Sequence, residues 1–254
     1  MVKLSERLQM IAERVPQGSR LADIGSDHAL LPTYLAQNGV VTFAVAGEVN
    51  PGPYEAAKRQ VLESGLSKTI SVRSGDGLAV IEPGEVDVIT IAGMGGSLMA
   101  SILDAGKEKL QGVSKLILQP NVGEDQVRRW LDEQGWFLET EAILEEDGKI
   151  YEILTAVPNE KQLKDQLQSL YQNRSLPGHK TVDKFRLLQM GPYLVTEAPA
   201  VWFKKWESEL EKLNMIQTQL SHSSAEASKV KAEQIGQEIR EIKEVLACLQ
   251  KVKP

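Results

Sequence analysis

The run VDVITIAGMGG, residues 86–96, constrains this chain more than any other stretch. Its valines and isoleucines are continuous rather than alternating, so it reads as a strand buried on both faces, and such strands belong to parallel sheets. Similar runs recur as RLADIG (20–25), VVTFAVAGEV (40–49), TISVRSG (69–75) and KLILQP (115–120). Helical patterns alternate with them: MVKLSERLQMIAERVP at the start, ALLPTYLAQNG, PYEAAKRQVLESG (53–65) and EDQVRRWLDEQG (124–135), the last three with glycine stops. The segment WFLETEAILEEDGKIYEILTAV (136–157) predicts two strands joined by Asp147-Gly148, a hairpin signal.

Strand–helix alternation of this kind predicts an α/β fold with helices on both faces of a mostly parallel sheet. A closing antiparallel hairpin after the last helix is the tail of a Rossmann-like, class I methyltransferase sheet. Dehydrogenase-type doubly wound sheets usually continue with parallel units instead.

The pattern changes after Pro158, dividing the chain into an expected sheet domain, 1–158, and an expected helical domain, 159–254. Leu163, Leu167 and Leu170 share one helical face, and NRSLPGHK (173–180) is a Pro/Gly break followed by basic residues. A helical pattern near 196–220 aligns Trp202, Trp206, Leu210 and Leu213; another near 224–250 aligns Ile235, Ile239, Ile242, Leu246 and Leu249. The polar turn SHSSAE between them is rich in helix-capping residues, which predicts an antiparallel α-helical hairpin close to a coiled coil. The two tryptophans read as hairpin core rather than as a platform for stacking bases.

Charge follows the same division. Residues 1–160 carry 14 Lys+Arg against 24 Asp+Glu, whereas residues 161–254 carry 15 against 11. A sign change along the chain points to a polyanionic partner for the positive half, with a lysine-rich solvated surface as the plainer reading. The single cysteine, Cys248, excludes an internal disulfide framework and any Cys-based zinc cluster. No stretch reaches the length of an apolar membrane span, and the N-terminus is too charged for a signal-peptide core. A cytoplasmic protein, with no metal and no membrane partner, is expected.

The stretch LADIGSDHALLP (21–32) carries the chemistry. A strand ending in Asp-Ile-Gly near the start of an α/β sheet lies where such folds bind nucleotides. The dinucleotide fingerprint needs two further glycines, but those places hold Asp27 and Leu30. Asp27 beside a pyrophosphate would be repelled by about 4 kcal/mol at 4 Å and an effective dielectric near 20. S-adenosylmethionine (SAM) suits the loop better, since it has no phosphate and carries a sulfonium and an ammonium. Glu48, 25 residues after Asp23, ends the second strand and suits the ribose hydroxyls; SGDG offers Asp76 to the adenine amine, with Gly75 and Gly77 permitting a sharp turn. Each acid could instead cap the helix that follows it.

DIGSDHALLP, the Glu48 strand end, SGDG and IAGMGG, followed by LQPN and a helical C-terminal hairpin, together resemble the bacterial tRNA (adenine-N1)-methyltransferases of the TrmK family. The resemblance covers essentially the whole chain. It implies a SAM-binding Rossmann-like domain, a coiled-coil domain that helps to hold tRNA, and methylation of adenine 22. Carried over by position, Asp23, Gly25, Ser26 and His28 belong to the first SAM loop. Glu48, with Val49 beside it, belongs to the ribose site, Asp76 and Gly77 to the adenine site, and Gly93, Met94 and Gly95 to the wall beside the transferred methyl.

Methylation at N1 needs no proton to leave before attack, because the ring nitrogen already has an in-plane lone pair. The chain must therefore supply positioning and a negative field for a base that becomes cationic. Asp27, Met94 and Asn121 are the catalytic candidates: Asp27 for the field, Met94 for packing against the base, Asn121 for its edge. His28 could equally contact backbone at a helix start, Asn121 could cap the next helix, and IAGMGG could simply turn into a close-packed helix. Arg7 is a candidate clamp for the methionine carboxylate. The phosphate contacts are expected from His179, Lys180, Lys184, Arg186, Lys204 and Lys205. The competing readings are a SAM-dependent methyltransferase of proteins or small molecules, a non-catalytic RNA-binding scaffold, and, weakened by the missing glycines, a nicotinamide oxidoreductase. The oligomeric state is left open.

Overall fold

A computed structural model describes residues 2–159, 170–176, 180–222 and 225–250 of the chain. They belong to two compact units, Met1–Leu167 and Gln168–Pro254. The division expected after Pro158 falls at the end of the last strand of the first unit, and the predicted leucine face at 163–167 lies outside the described residues.

The first unit opens with α1 (Glu6–Ala12), capped by Ser5, whose side chain accepts from the Leu8 N–H. There follow β1 (Ser19–Ile24), α2 (Leu30–Gln37), β2 (Val41–Glu48), α3 (Pro51–Glu63) and β3 (Ile70–Ser74). Then come β4 (Val88–Gly95), α4 (Gly96–Ala105), β5 (Lys115–Val122), α5 (Glu124–Glu133), β6 (Trp136–Glu146) and β7 (Lys149–Pro158). The seven strands lie in the order β3-β2-β1-β4-β5-β7-β6. Strands β1 to β5 pair in parallel, β7 runs antiparallel to β5, and β6 runs antiparallel to β7. The expected hairpin therefore closes the sheet. At its turn Asp147 and Gly148 both have positive φ, 50° and 73°, the handedness that matches strand twist.

The apolar runs are continuous because the sheet is covered twice. Leu21, Ala44, Ala46, Val88 and Ile117 share one cluster with Ile11, Leu31, Leu35, Ala57 and Val61 of α1, α2 and α3. Their strand neighbours Ile89, Ile91, Leu116 and Leu118 point the other way by the two-residue alternation of a strand. That second face meets α4 and α5, which contribute the buried Met99, Leu103, Val127 and Leu131.

A charged triad sits inside this aliphatic packing. Arg128 of α5 is fully buried; its Nε donates to Glu141 of β6 at 2.6 Å, and its Nη2 also bonds Glu152 of β7. Two carboxylates thus share one guanidinium and tie α5 to the terminal hairpin.

In the second unit the two-residue strands β8 (Arg174–Ser175) and β9 (Thr181–Val182) pair antiparallel. They precede α6 (Lys184–Met190), α7 (Pro192–Glu197), α8 (Ala200–Ser221) and α9 (Glu226–Gln250). Helices α8 and α9 pack together as the expected hairpin, burying Trp202, Trp206, Leu210, Ile235, Ile239, Ile242 and Leu246. Leu213 and Leu249, nearer the ends of the stripes, are only half-buried. Trp202 donates its indole N–H to the Met190 carbonyl at 2.9 Å and meets Phe203 edge-on, with ring centroids 5.3 Å apart. The tryptophans are core, as their spacing indicates. The two short helices α6 and α7 and the β8–β9 pair had no counterpart in the periodicity of the sequence.

Removing Arg128 leaves Glu141 and Glu152 buried without their cation. Arg128→Met is expected to lower unfolding free energy by about 3–5 kcal/mol at neutral pH, measured by urea denaturation, with the deficit shrinking as pH falls toward the carboxylate range. An unchanged urea midpoint would show that the triad holds nothing.

Candidate active site

Parallel strands deliver their carboxyl ends to one rim, and β1 sits at the switch point, flanked by β2 and β4. Asp23 lies near the end of β1, in register with Thr90 of β4. Its Oδ1 accepts from the Thr90 hydroxyl and its Oδ2 from the Ser26 hydroxyl, each at 2.6 Å. The residue is 5% exposed. Burial pushes its carboxyl up to about 6, against the two hydroxyl hydrogen bonds and with some help from the charges of Glu48 and Asp27.

The chain then turns under tight constraint. Gly25 and Ser26 donate their N–H groups to the Gly47 carbonyl at 2.9 and 3.2 Å, and Asp27 donates its own to Glu48 Oε1 at 2.8 Å. Gly25 has φ +69°, and a Cβ there would lie 2.2 Å from the Met94 methyl, so Met94 covers the turn. Asp27, His28 and Ala29 follow with φ of 35°, 61° and 54°, three non-glycine residues in succession in the left-handed region. Such strain concentrates at functional sites. It displays the Asp27 carboxylate, 82% exposed, with His28 Nε2 3.6 Å from its Oδ1.

Glu48 is buried at the end of β2, and desolvation raises its carboxyl above the ordinary range, opposed by the Asp27 N–H. Val49 beside it is 58% exposed, a large apolar side chain left open at the rim. Asp76 is exposed and precedes the short turn Gly77–Val80, to which its side chain gives no capping hydrogen bond; Gly77 has φ 53°. Among the three acids, then, Asp23 and Glu48 are bonded within the β1 turn, and Asp76 stands at the N-cap position of the Gly77–Val80 turn without a side-chain capping bond.

Asn121 does not cap α5 either. Gly123 occupies the N-cap, while Asn121 donates from Nδ2 to the Gly93 carbonyl at 2.8 Å. Arg7 reaches over the Tyr151 ring, 5.3 Å from its centroid, and donates from Nη1 to Gln119 Oε1 at 2.6 Å. Sequence reasoning passed over two members of this rim. Thr90, a strand former within a strand, gave no signal; Gln119, a lone amide inside the apolar run KLILQP, was a visible one. Gly95 is the N-cap of α4, so IAGMGG does make a turn into a packed helix, while Gly93 faces open space.

In the second unit His179 lies outside the described residues. Lys184 is exposed, its Nζ 5.8 Å over the Tyr171 ring, and Lys205 sits 6.0 Å over Trp206, next to the exposed Lys204. Lys180 pairs with Glu244. Arg186 corrects the expectation made for it: it is 5% exposed and bonded to Glu241, so it ties α6 to α9 rather than facing a phosphate.

A β3-β2-β1-β4-β5-β7-β6 sheet whose rim gathers carboxylates around a glycine turn, without a phosphate cradle, is that of a class I SAM-dependent methyltransferase. The tRNA (adenine(22)-N(1))-methyltransferase model, TrmK, matches residues 21–244. The chain belongs to this family. It is 46% identical over 246 residues to the tRNA (adenine(22)-N(1))-methyltransferase of Bacillus subtilis (strain 168), covering 96% of this chain and 98% of that one. The crystal structure of the B. subtilis M1A22 tRNA methyltransferase TrmK superposes with a TM-score of 0.86 at 45% identity, covering 96% of this chain and 99% of that one. A Streptococcus pneumoniae protein, named as a candidate tRNA (m1A22) methyltransferase and crystallised with SAM, superposes with a TM-score of 0.78 at 39% identity, covering 96% and 100%.

Because the folded-state value of Asp23 lies above its ordinary one, the folded chain holds this proton more tightly than the unfolded chain does. The stability Asp23 contributes is present at low pH and lost as pH rises from about 4 through about 6. Comparing wild type with Asp23→Asn by thermal melts from pH 4 to 7, the wild type is expected to lose roughly 3 kcal/mol relative to the variant. Parallel pH profiles would show that Asp23 does not titrate there.

Proposed function

We propose that this chain transfers a methyl group from SAM to N1 of adenine 22 in tRNA, using the rim at the carboxyl ends of β1 to β5. The observation that carries the reading is the Asp23–Glu48–Asp76 rim, acids whose side chains give no capping bond to the helix that follows each, in a chain matched to its family across nearly its whole length.

When bound, SAM supplies a methyl already activated on a positive sulfonium and lacks a phosphate for the acids to repel. Asp23, fixed by Ser26 and Thr90, sets the negative potential of the floor. Glu48 has one oxygen on the Asp27 N–H and the other left for ribose hydroxyls. Asp76 suits the adenine amine, Val49 its apolar face, and Arg7 the methionine carboxylate. Gly25, Gly77, Gly93 and Gly95 keep side-chain bulk out of the cleft, with Ser26 in the turn, Met94 in the wall beside the methyl and His28 at the mouth.

The target nitrogen needs no base to deprotonate it, so the chain's work is orientation and field. Asp27 is the exposed carboxylate beside the turn and favours the adeninium as it forms; Met94 gives the base an apolar surface. Asn121 acts from the β5 tip, where its Oδ1 and Nδ2 are already engaged with Gln119 and Gly93. The Watson–Crick edge of adenine must be free, so the base is swung out or the tRNA locally opened, at a cost of about a few kcal/mol. Lys180, Lys184, Lys204 and Lys205 of the second unit, with His179, are the proposed phosphate contacts that offset it. Among the described residues no group of three or more His, Cys, Asp or Glu is placed to hold a metal ion, and no helix is long and apolar enough to cross a membrane. A tRNA substrate and a lone cysteine suit a reducing cytoplasm.

With labelled SAM and unmodified tRNA the wild type is expected to place label at adenine 22, read as a reverse-transcription stop there. Label on protein or small molecules instead, or a stop elsewhere, overturns the reading. Asp27→Asn is expected to reduce kcat by about 10–100-fold through the lost field with little change in tRNA or SAM affinity; normal turnover removes Asp27 from the mechanism. Lys184→Gln with Lys204→Gln and Lys205→Gln should flatten the dependence of log affinity on log salt by about 0.7–0.9 per lost phosphate contact. An unaltered slope places the RNA elsewhere.

A further inference from the structure

Strand β4 does not run evenly beside β5 at the rim. Ala92 is in register with Gln119, Met94 with Pro120 and Gly95 with Val122, so Gly93 is an extra residue on β4 and Asn121 one on β5. Each irregularity leaves backbone groups without ladder partners, and proline at 120 has no N–H to give. Side-chain amides fill the gap. Gln119 Oε1 accepts from the Gly93 N–H at 3.2 Å, and Asn121 Nδ2 donates to the Gly93 carbonyl at 2.8 Å. Gln119 Nε2 donates to Asn121 Oδ1 at 3.1 Å and to the Pro120 carbonyl at 2.8 Å, while its Oε1 also receives Arg7 Nη1 at 2.6 Å. Two acceptances and two donations satisfy the amide fully and fix which end is oxygen. Gln119 is completely buried, so it reaches neither cofactor nor base itself.

We propose that Gln119 is a positioning residue for methyl transfer, locking the doubly bulged tip of β4 and β5 and the Arg7 guanidinium into one rigid unit. It rests on the methyltransferase reading above and adds a residue that acts through Gly93, Asn121 and Arg7. Bulges beside active sites re-aim side chains, and here the re-aimed residue is Met94, whose methyl lies over Gly25. Without the amide, the Gly93 N–H loses its acceptor and the Gly93 peptide is held only through the Asn121 bond to its carbonyl, while Arg7 loses the acceptor that directs it to the rim.

The test uses the full-length protein with S-adenosylhomocysteine (SAH) as probe. Gln119→Met keeps the volume and removes all four hydrogen bonds. It is expected to speed Gly93 amide exchange at least tenfold with Ile91 exchange unchanged, to weaken SAH binding by calorimetry, and to lower kcat about a hundredfold with the KM for tRNA within about twofold. In a double-mutant cycle, Arg7→Leu should weaken SAH binding less in the Gln119→Met background than in wild type, since the two act as one unit. Gln119→Glu keeps the acceptors for Arg7 and the Gly93 N–H but sets an oxygen against the Pro120 carbonyl and Asn121 Oδ1, so it should slow Gly93 exchange relative to Gln119→Met without reaching wild-type protection. Faster exchange throughout the sheet, additive losses in the cycle, or kcat within twofold of wild type would each overturn the proposal. The wild-type turnover control reports separately on the methyltransferase reading, because exchange and SAH affinity are read without transfer.

Discussion

The carboxylate of Asp23 lies buried where the strand order of the sheet reverses, and much of the rim is arranged around keeping it there. A carboxylate in that position is costly unless hydrogen bonds hold it. Thr90 reaches it across the β1–β4 ladder and Ser26 from the turn that follows. The second bond fixes the direction in which the chain leaves β1. That direction brings the N–H groups of Gly25 and Ser26 onto the Gly47 carbonyl and that of Asp27 onto Glu48. One buried charge thus organises the ends of three strands, and it does so before any ligand is considered.

The same economy of polar groups operates at the next pair of strand ends. Where β4 and β5 lose register, the Gly93 N–H and carbonyl are met by Gln119 and Asn121. The rim is thus tied by side-chain amides at β4 and β5 and strained at β1, where Asp27, His28 and Ala29 hold left-handed conformations. These two halves face a ligand differently. The amide-tied half can define a wall; the strained half presents an exposed carboxylate and imidazole on a left-handed stretch of backbone.

Most of the fold was legible because burial on both faces writes itself as unbroken aliphatic runs, and because glycine and proline mark the ends of helices such as the one containing Tyr54 and Val61. The closing hairpin was legible in Asp147-Gly148, whose positive φ values few other pairs tolerate. The second unit was legible only in its long helices. The segment from Lys184 to Glu197 is two short helices broken at Gly191, too brief for either to establish a period. At the site, acids at strand ends could be found by type and position, but their roles could not. Asp23 turned inward, Asp76 stayed open, and Arg186, indistinguishable in sequence from a phosphate-binding arginine, is buried against Glu241 by the fold of α6 onto α9. Hydrogen-bond partners across strands, such as Thr90, depend on register, which no local pattern specifies.

The function proposed above makes two opposed electrostatic demands, which the division of charge along the chain matches. A site that favours a cationic donor and a base becoming cationic needs negative potential, and negative potential repels the phosphates of the same substrate. Coulomb energy between charges in a common low-dielectric cleft is several times that between solvated surfaces, whereas screening confines surface effects to about 10 Å at moderate salt. A single surface serving both purposes would weaken each. On the proposed reading, the acids that favour a cationic donor come from the first unit and the lysines that meet a polyanion from the second. On that reading, the excess of acids in residues 1–160 and of bases in residues 161–254 meets the two demands in separate parts of the chain.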